Sequence, residues 1–388
     1  MLSSRWWLAL VALWTAAAAG ADELPNGLYA EFTTPHGVFT AQLFYDQAPM
    51  TSASFVGLAE GTLAAKDGKP FFTGLRWYRV VPDFVIQSGD PTNPGGGIQD
   101  RPKQTPEDDA AGHPYNFPDE IVPGLHHEAA GVLSMANGGP DTNSSEFFVT
   151  LRETNRLNYL HSVFGRVIRG LDVLPQVKQD DSFSIRILRV GAAAQAFKAD
   201  ATSFQARVAA AKKYAGPPEP GPAAYFDDPD KILPQDVPRA KNFNFKLANF
   251  ERFTGRRIYA RVFRKFTPAH EGQKLGEFNA DLARQFGVEP EGVVVSYYAD
   301  LDTWMIWIGA NWLPRFMGRA GSREEFVETG ALMKQKEVFL TDAKKRAAEV
   351  AARTRAAGRE VNDAQMLKLT VDEVLDAFIL LYESKTTP

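Results

Sequence analysis

Between Leu28 and Val190 the chain keeps returning to short apolar segments cut apart by glycine, proline, asparagine and aspartate. YAEFTTPHGVFTAQLFY alternates apolar positions around a Pro-His-Gly turn, which predicts an antiparallel hairpin. LRWYRVV, FVIQSG, GVLSMAN, EFFVTL, SVFGRVI and FSIRILRV follow as further strand-like segments, and only APMTSASFVGLAEG between them has helical spacing, with Phe55, Leu58 and Ala59 on one face. Many short strands with few helices suggest a closed or sandwiched antiparallel sheet of about one domain's length. The polar, Gly- and Pro-rich stretch from Asn93 to Pro118 is expected to be a long surface loop.

Composition shifts near Ala192. AAAQAFKADATSFQARVAAAKKYA predicts one alanine-rich helix, and GPPEPGP predicts a stiff linker after it. Helical spacing from about Pro238 to Phe253 precedes a strand at RIYARVFRKF, a helix at EFNADLARQFG and two strands in GVVVSYYADLDTWMIWIG joined at Asp300 to Asp302. That order predicts an α/β layer. The remainder is expected to be helical, with helix starts at Ser322 (S-x-x-E) and Thr370 (T-x-x-E). The expected division is 1–21 signal peptide, 22–195 first domain, 196–225 helix and linker, 226–320 α/β domain and 321–388 C-terminal helices.

The N-terminus, MLSSRWWLALVALWTAAAAGADE, sets Arg5 before an apolar run from Trp6 to Ala19. It has the form of a secretory signal cut after Ala21, so the expectation is export to the periplasm or beyond, with no stable membrane insertion after its removal. With no cysteine in the chain, disulfides, thiolate metal sites and cysteine nucleophiles are excluded. A net charge of -4 argues against a nucleic-acid partner.

Gly131 to Thr150, GVLSMANGGPDTNSSEFFVT, crowds Ser134, Thr142, Ser144 and Ser145 near His126, His127 and His161. A serine nucleophile needs an exposed hydroxyl and an oxyanion hole. Ser134 lies mid-strand outside any G-x-S-x-G elbow, and Ser144 and Ser145 belong to a turn. His126 and His127, adjacent on an extended chain, point apart and chelate poorly, so no metal is expected.

Three long segments in register carry a more specific signal: WYRVVPDFVIQSGDPT, FPDEIVPGLHHEAAGVLSMANGGPDTNSSEFFVTL and LNYLHSVFGRVIRGLDVL. Together they resemble the cyclophilin family of peptidyl-prolyl isomerases, over about Leu28 to Val190. The resemblance implies a closed eight-stranded antiparallel barrel capped by two helices, with no cofactor. It puts the catalytic arginine at Arg79, a glutamine at Gln87 and the proline-pocket aromatics at Phe84 and Phe148. Ala136 and Asn137 fall on the backbone-binding pair, and Leu157 and His161 on the pocket wall. Glu146 stands where many members have glutamine, Val85 where the pocket methionine stands, and Arg156 where the family's tryptophan supports cyclosporin, so weak cyclosporin binding is expected. The implied partners are proline-containing peptides and unfolded clients. The implied function is an exported isomerase that assists folding; the alternative is a proline-peptide-binding scaffold or chaperone with little turnover.

The second half, from about Phe226 to Trp312, looks like the TPM-type domain of bacterial envelope and thylakoid photosystem-repair proteins. Its pattern is helix, E-x-x-T-G, strand, helix ending in Phe286-Gly287, E-G-V-V-V strand and an apolar strand ending in glycine. No phosphate-gripping loop accompanies it, so a binding or assembly role is expected there.

Overall fold

The structure is a computed structural model that describes residues 23–66, 68–92, 115–238 and 241–383. The signal-peptide expectation and nearly all of the Asn93–Pro118 loop lie outside the described residues.

The predicted hairpin forms from β1 (Gly27–Thr34) and β2 (Gly37–Leu43), followed by helix α1 (Pro49–Glu60). A two-residue ladder, β3 (Ala65–Lys66) with β4 (Lys69–Pro70), leads to β5 (Arg79–Val81), β6 (Val85–Ser88), β7 (Val132–Met135), β8 (Phe147–Thr150), β9 (Val163–Arg169) and β10 (Ser184–Val190). Strands pair antiparallel in the order β10-β1-β2-β9-β7-β8-β6-β5.

The sheet curls but does not close as the sequence reading expected. Among the described residues the edge strands β5 and β10 do not pair; the segments leading into them meet at an Arg76–Ser182 bridge, with Trp77 N donating to Asp181 O and Asp180 N to Trp77 O, each at 3.0 Å. The reason is local: the chain turns at Asp180 in left-handed conformation (φ 69) and becomes strand only at Ser184. Inside the curl, Phe32, Phe39, Phe55, Trp77, Phe147, Phe164 and Phe183 form one aromatic core. α1 has no capping side chain of its own at Ala48. Instead the Glu120 carboxylate accepts from Met50 N, Thr51 N and Thr51 Oγ1 at 2.7–3.0 Å, filling the helix's orphan donors from a distant segment.

The expected alanine-rich helix is two helices, α2 (Ala192–Ala196) and α3 (Ala201–Ala210). Asp200 breaks it by accepting from Ser203 N, a cap that competes with continuing the turn. Phe204 of α3 is fully buried in the first core, beyond the boundary expected at residue 195.

The second half builds a four-stranded sheet in the order β11 (Phe226–Asp227), β12 (Ile258–Phe263), β13 (Val293–Tyr298), β14 (Thr303–Ile308). The first three are parallel and β13–β14 is an antiparallel hairpin. α4 (Phe243–Thr254) starts at Asn242, whose side chain accepts from Asn244 N, later than the spacing predicted. α5 (Leu275–Gln285) makes the crossover between β12 and β13. Short helices α6 (Leu313–Met317) and α7 (Arg323–Glu328, capped by Ser322 as expected) lead to the long pair α8 (Ala331–Ala356) and α9 (Asp363–Tyr382). Thr370 is not a helix start. α9 begins at Asn362 in a capping box with Gln365, and mid-helix Thr370 Oγ1 donates back to Met366 O at 3.0 Å.

The halves share an apolar cluster. Ile121 and Tyr159 of the first half pack with Phe250, Ile258, Phe378 and others of the second, with the Tyr159 and Phe250 rings edge to face at 5.2 Å. The GPPEPGP segment is tied down as well: Pro217 and Glu219 carbonyls accept from Asn244 Nδ2, and Pro222 O from Arg261.

Candidate active site

Alternation along neighbouring strands, joined by Phe84 from the β5–β6 turn and Leu157 from a short 3-10 turn, sorts two sets of side chains. Ile86, Leu133, Met135, Phe147 and Val149 enter the core, while Phe84, Val85, Phe148 and Leu157 form a separate cluster flanked by Val81 and Ala136. Register then lines up one row across β7, β8, β6 and β5: Ser134 opposite Phe148, Phe148 opposite Gln87, Gln87 opposite Arg79. Three strand spacings make that row about 14 Å long. Phe84 and Arg79 share the β5–β6 hairpin, whose turn runs through Pro82 and a left-handed Asp83 (φ 55), with Phe84 N donating to Val81 O.

Arg79 is held rather than free. Its Nη1 donates to Gln87 Oε1 at 2.9 Å, and Gln87 Nε2 donates to Glu146 Oε2 at 3.0 Å and to Tyr78 OH at 2.5 Å. Tyr78 OH donates in turn to Glu146. A carboxylate only accepts, so Glu146 fixes the amide with its NH₂ inward and its oxygen towards Arg79, a choice that glutamine at 146 would leave open. Gly89 allows this approach. It is left-handed (φ +101), and a Cβ there would lie 2.2 Å from Ser145 O. Burial lowers the Arg79 pKa, opposed by Tyr78 and Glu146, and an arginine remains charged throughout the working range.

His161 and Asn137 complete the wall. His161 stands edge-on to Phe148 (centroids 5.5 Å, 90°), and burial, with repulsion from His127 and Lys241, pushes its pKa down to about 3. Asn137 Nδ2 donates to Leu160 O at 2.8 Å. Arg156 and Lys241 lie over the Phe84 ring, Cζ at 4.6 Å and Nζ at 5.6 Å from its centroid. Neither Lys241 nor its proximity was signalled by the sequence, because it arrives from the second half.

His127, Ser134 and Asn158 adopt a triad-like arrangement, with Nε2–Oγ 3.0 Å and Nδ1–Oδ1 2.9 Å. All three are buried, Ser134 Oγ is also 3.0 Å from Ser162 O, and His127 stacks on Phe148. A hydroxyl sealed beneath Phe148 cannot meet a substrate, so this set supports the pocket. His126 points the other way, to Glu383 at 2.7 Å.

Residues 29–192 match the family described as cyclophilin type peptidyl-prolyl cis-trans isomerase/CLD. Peptidyl-prolyl cis-trans isomerase ppi1 of Schizosaccharomyces pombe is 43% identical over 143 residues, which are 37% of this chain and 80% of that protein. The chain belongs to the cyclophilin family. Peptidyl-prolyl cis-trans isomerase-like 1 of Mus musculus is 38% identical over 154 residues, 39% of this chain and 80% of the relative. A solved Cryptosporidium parvum cyclophilin, 27% identical with a TM-score of 0.32, aligns with 42% of this chain and 98% of its own. This cyclophilin is therefore a peptidyl-prolyl isomerase by family, and its first half carries the matched region.

Proposed function

We propose that this isomerase turns X-Pro bonds beside Arg79, Gln87 and Phe148, in an exported setting where it assists folding of proline-containing clients. The barrier to rotation is about 18–20 kcal/mol because the amide nitrogen shares its lone pair with the carbonyl. The apolar group Phe84, Val85, Phe148 and Leu157 offers a seat for the proline ring. Ala136, at the end of β7, and Asn137 beside it offer backbone along which the peptide lies. Arg79, supported by Gln87, donates to the prolyl nitrogen as it becomes pyramidal. That bond strengthens in the twisted state, so it lowers the barrier and not merely the energy of the bound ground state.

The observation that carries this reading is the Arg79–Gln87–Glu146 relay, which holds a guanidinium beside an apolar aromatic pocket. Exchange spectroscopy by NMR on an Ala-Pro peptide tests it, and separates turnover from a scaffold that only binds. Export rests on the Arg5–Ala21 signal pattern; loss of residues 1–21 from the mature protein, read by mass spectrometry of the exported form, checks it. For the second half we propose a TPM-type binding module, supported by the β12–α5–β13 crossover and the β13–β14 hairpin. Cyclosporin binding is proposed to be weak, because Arg156 sets a charged guanidinium over Phe84 in place of an apolar indole.

A further inference from the structure

Three cations surround one aromatic ring. Arg79 Cζ, Arg156 Cζ and Lys241 Nζ lie 5.8, 4.6 and 5.6 Å from the Phe84 centroid. One cation over a ring is favourable, but three so close repel one another. The nearby carboxylates offset this only in part: Asp372 attracts Arg156 and Lys241 but is paired with Lys368 at 2.8 Å, Asp83 is paired with Arg152 at 3.4 Å, and Glu146 attracts Arg79 while accepting from Gln87 and Tyr78. Arg359, in the loop after α8, adds repulsion to Arg79, Arg152 and Arg156. The adjoining cavity of about 220 Å³, which Arg156 also lines, balances Arg152, Arg346 and Arg353 with Glu153, Glu349, Asp372 and Glu373, so the excess of cations is local to Phe84.

The Lys241 ammonium registers that imbalance. Burial, then Arg156, Arg79 and Lys368, push its pKa down to about 8, against the opposing pull of Asp372.

We propose that Arg156 and Lys241 make this isomerase select X-Pro segments that carry a carboxylate side chain beside the proline. The inference rests on the reading of Phe84 as part of the proline pocket. An Asp or Glu next to the bound ring relieves the repulsion, whereas a lysine there increases it. Two specificity-determining cations thus come from different halves of the chain, which gives the contact between the halves a role in substrate choice.

The test uses the full chain and three Ala-Pro peptides with Glu, Gln or Lys beside the dipeptide. Exchange rates are read by NMR and binding by chemical-shift titration. The expected order is Glu over Gln over Lys, roughly fivefold per step at low salt, compressing as salt shortens the screening length. Lys241→Gln and Arg156→Gln should each bring the Glu-to-Gln ratio towards one. Equal binding and equal rates for all three peptides, or ratios unchanged in both variants, would overturn the proposal. Graded binding without exchange supports the selectivity and overturns the assignment of turnover to Arg79.

Discussion

Arg252 of α4 joins the two halves, and removing it should reveal how strongly. Its Nη1 pairs with Asp141 at 2.8 Å and lies 3.8 Å from Asp119, while Nε donates to Lys212 O at 3.0 Å. Arg252→Met keeps the apolar stem and deletes the charge. Stripping one partner from a buried pair costs about 3–5 kcal/mol, because the other charge stays buried. The Asp141 side chain is 21% exposed, so water compensates it in part, whereas that of Asp119 is fully buried. The lower end, about 3 kcal/mol, is therefore expected near pH 8. Burial already raises Asp119 to about 6, countered by hydrogen bonds from Asn143 and the Asp141 backbone and by Arg252. Without Arg252 it rises further, so at pH 5 the variant holds Asp119 neutral and the cost shrinks. Urea unfolding of both proteins at pH 8 and pH 5 measures the difference. A loss below about 1 kcal/mol at pH 8, the range of an exposed pair, or one that grows as the pH falls, would refute the reasoning.

His127 and His161, held down to about 4 and about 3 chiefly by burial, should show flat imidazole shifts by NMR from pH 8 to 5. Because the unfolded chain takes up those protons from about pH 6.5 downwards, both histidines cost stability as the pH falls; a midpoint above 6 for either would mean its site is wet. Arg156→Trp should tighten cyclosporin by about tenfold, the effect of gaining one indole contact and losing a charged guanidinium, and equal affinities by calorimetric titration would rule that out.

Much of the first half could be read from the chain, because strand alternation and turn residues are local signals. The segments carrying Arg79, Phe84, Gln87 and Phe148 become strands and a hairpin turn where they were expected, and Val85 and Phe148 separate from the core by period-two alternation. What escaped depends on distant partners. Glu120 capping α1 and Arg252 meeting Asp141, 111 residues away, leave no local pattern. The Thr370 box failed for a related reason: the motif is present, but the better cap at Asn362 starts the helix earlier. Closure of the sheet was expected from the family resemblance, and with the left-handed turn at Asp180 the edge strands do not pair among the described residues, an Arg76–Ser182 bridge ahead of them being their link.

The central claim is that Arg79, held by Gln87, stabilises the twisted X-Pro bond. Exchange spectroscopy on an Ala-Pro peptide should show the Arg79→Ala rate falling about a hundred- to thousandfold, as for loss of one transition-state donor, with peptide binding largely retained. An unchanged rate, or a loss of rate that merely follows a loss of binding, would contradict it.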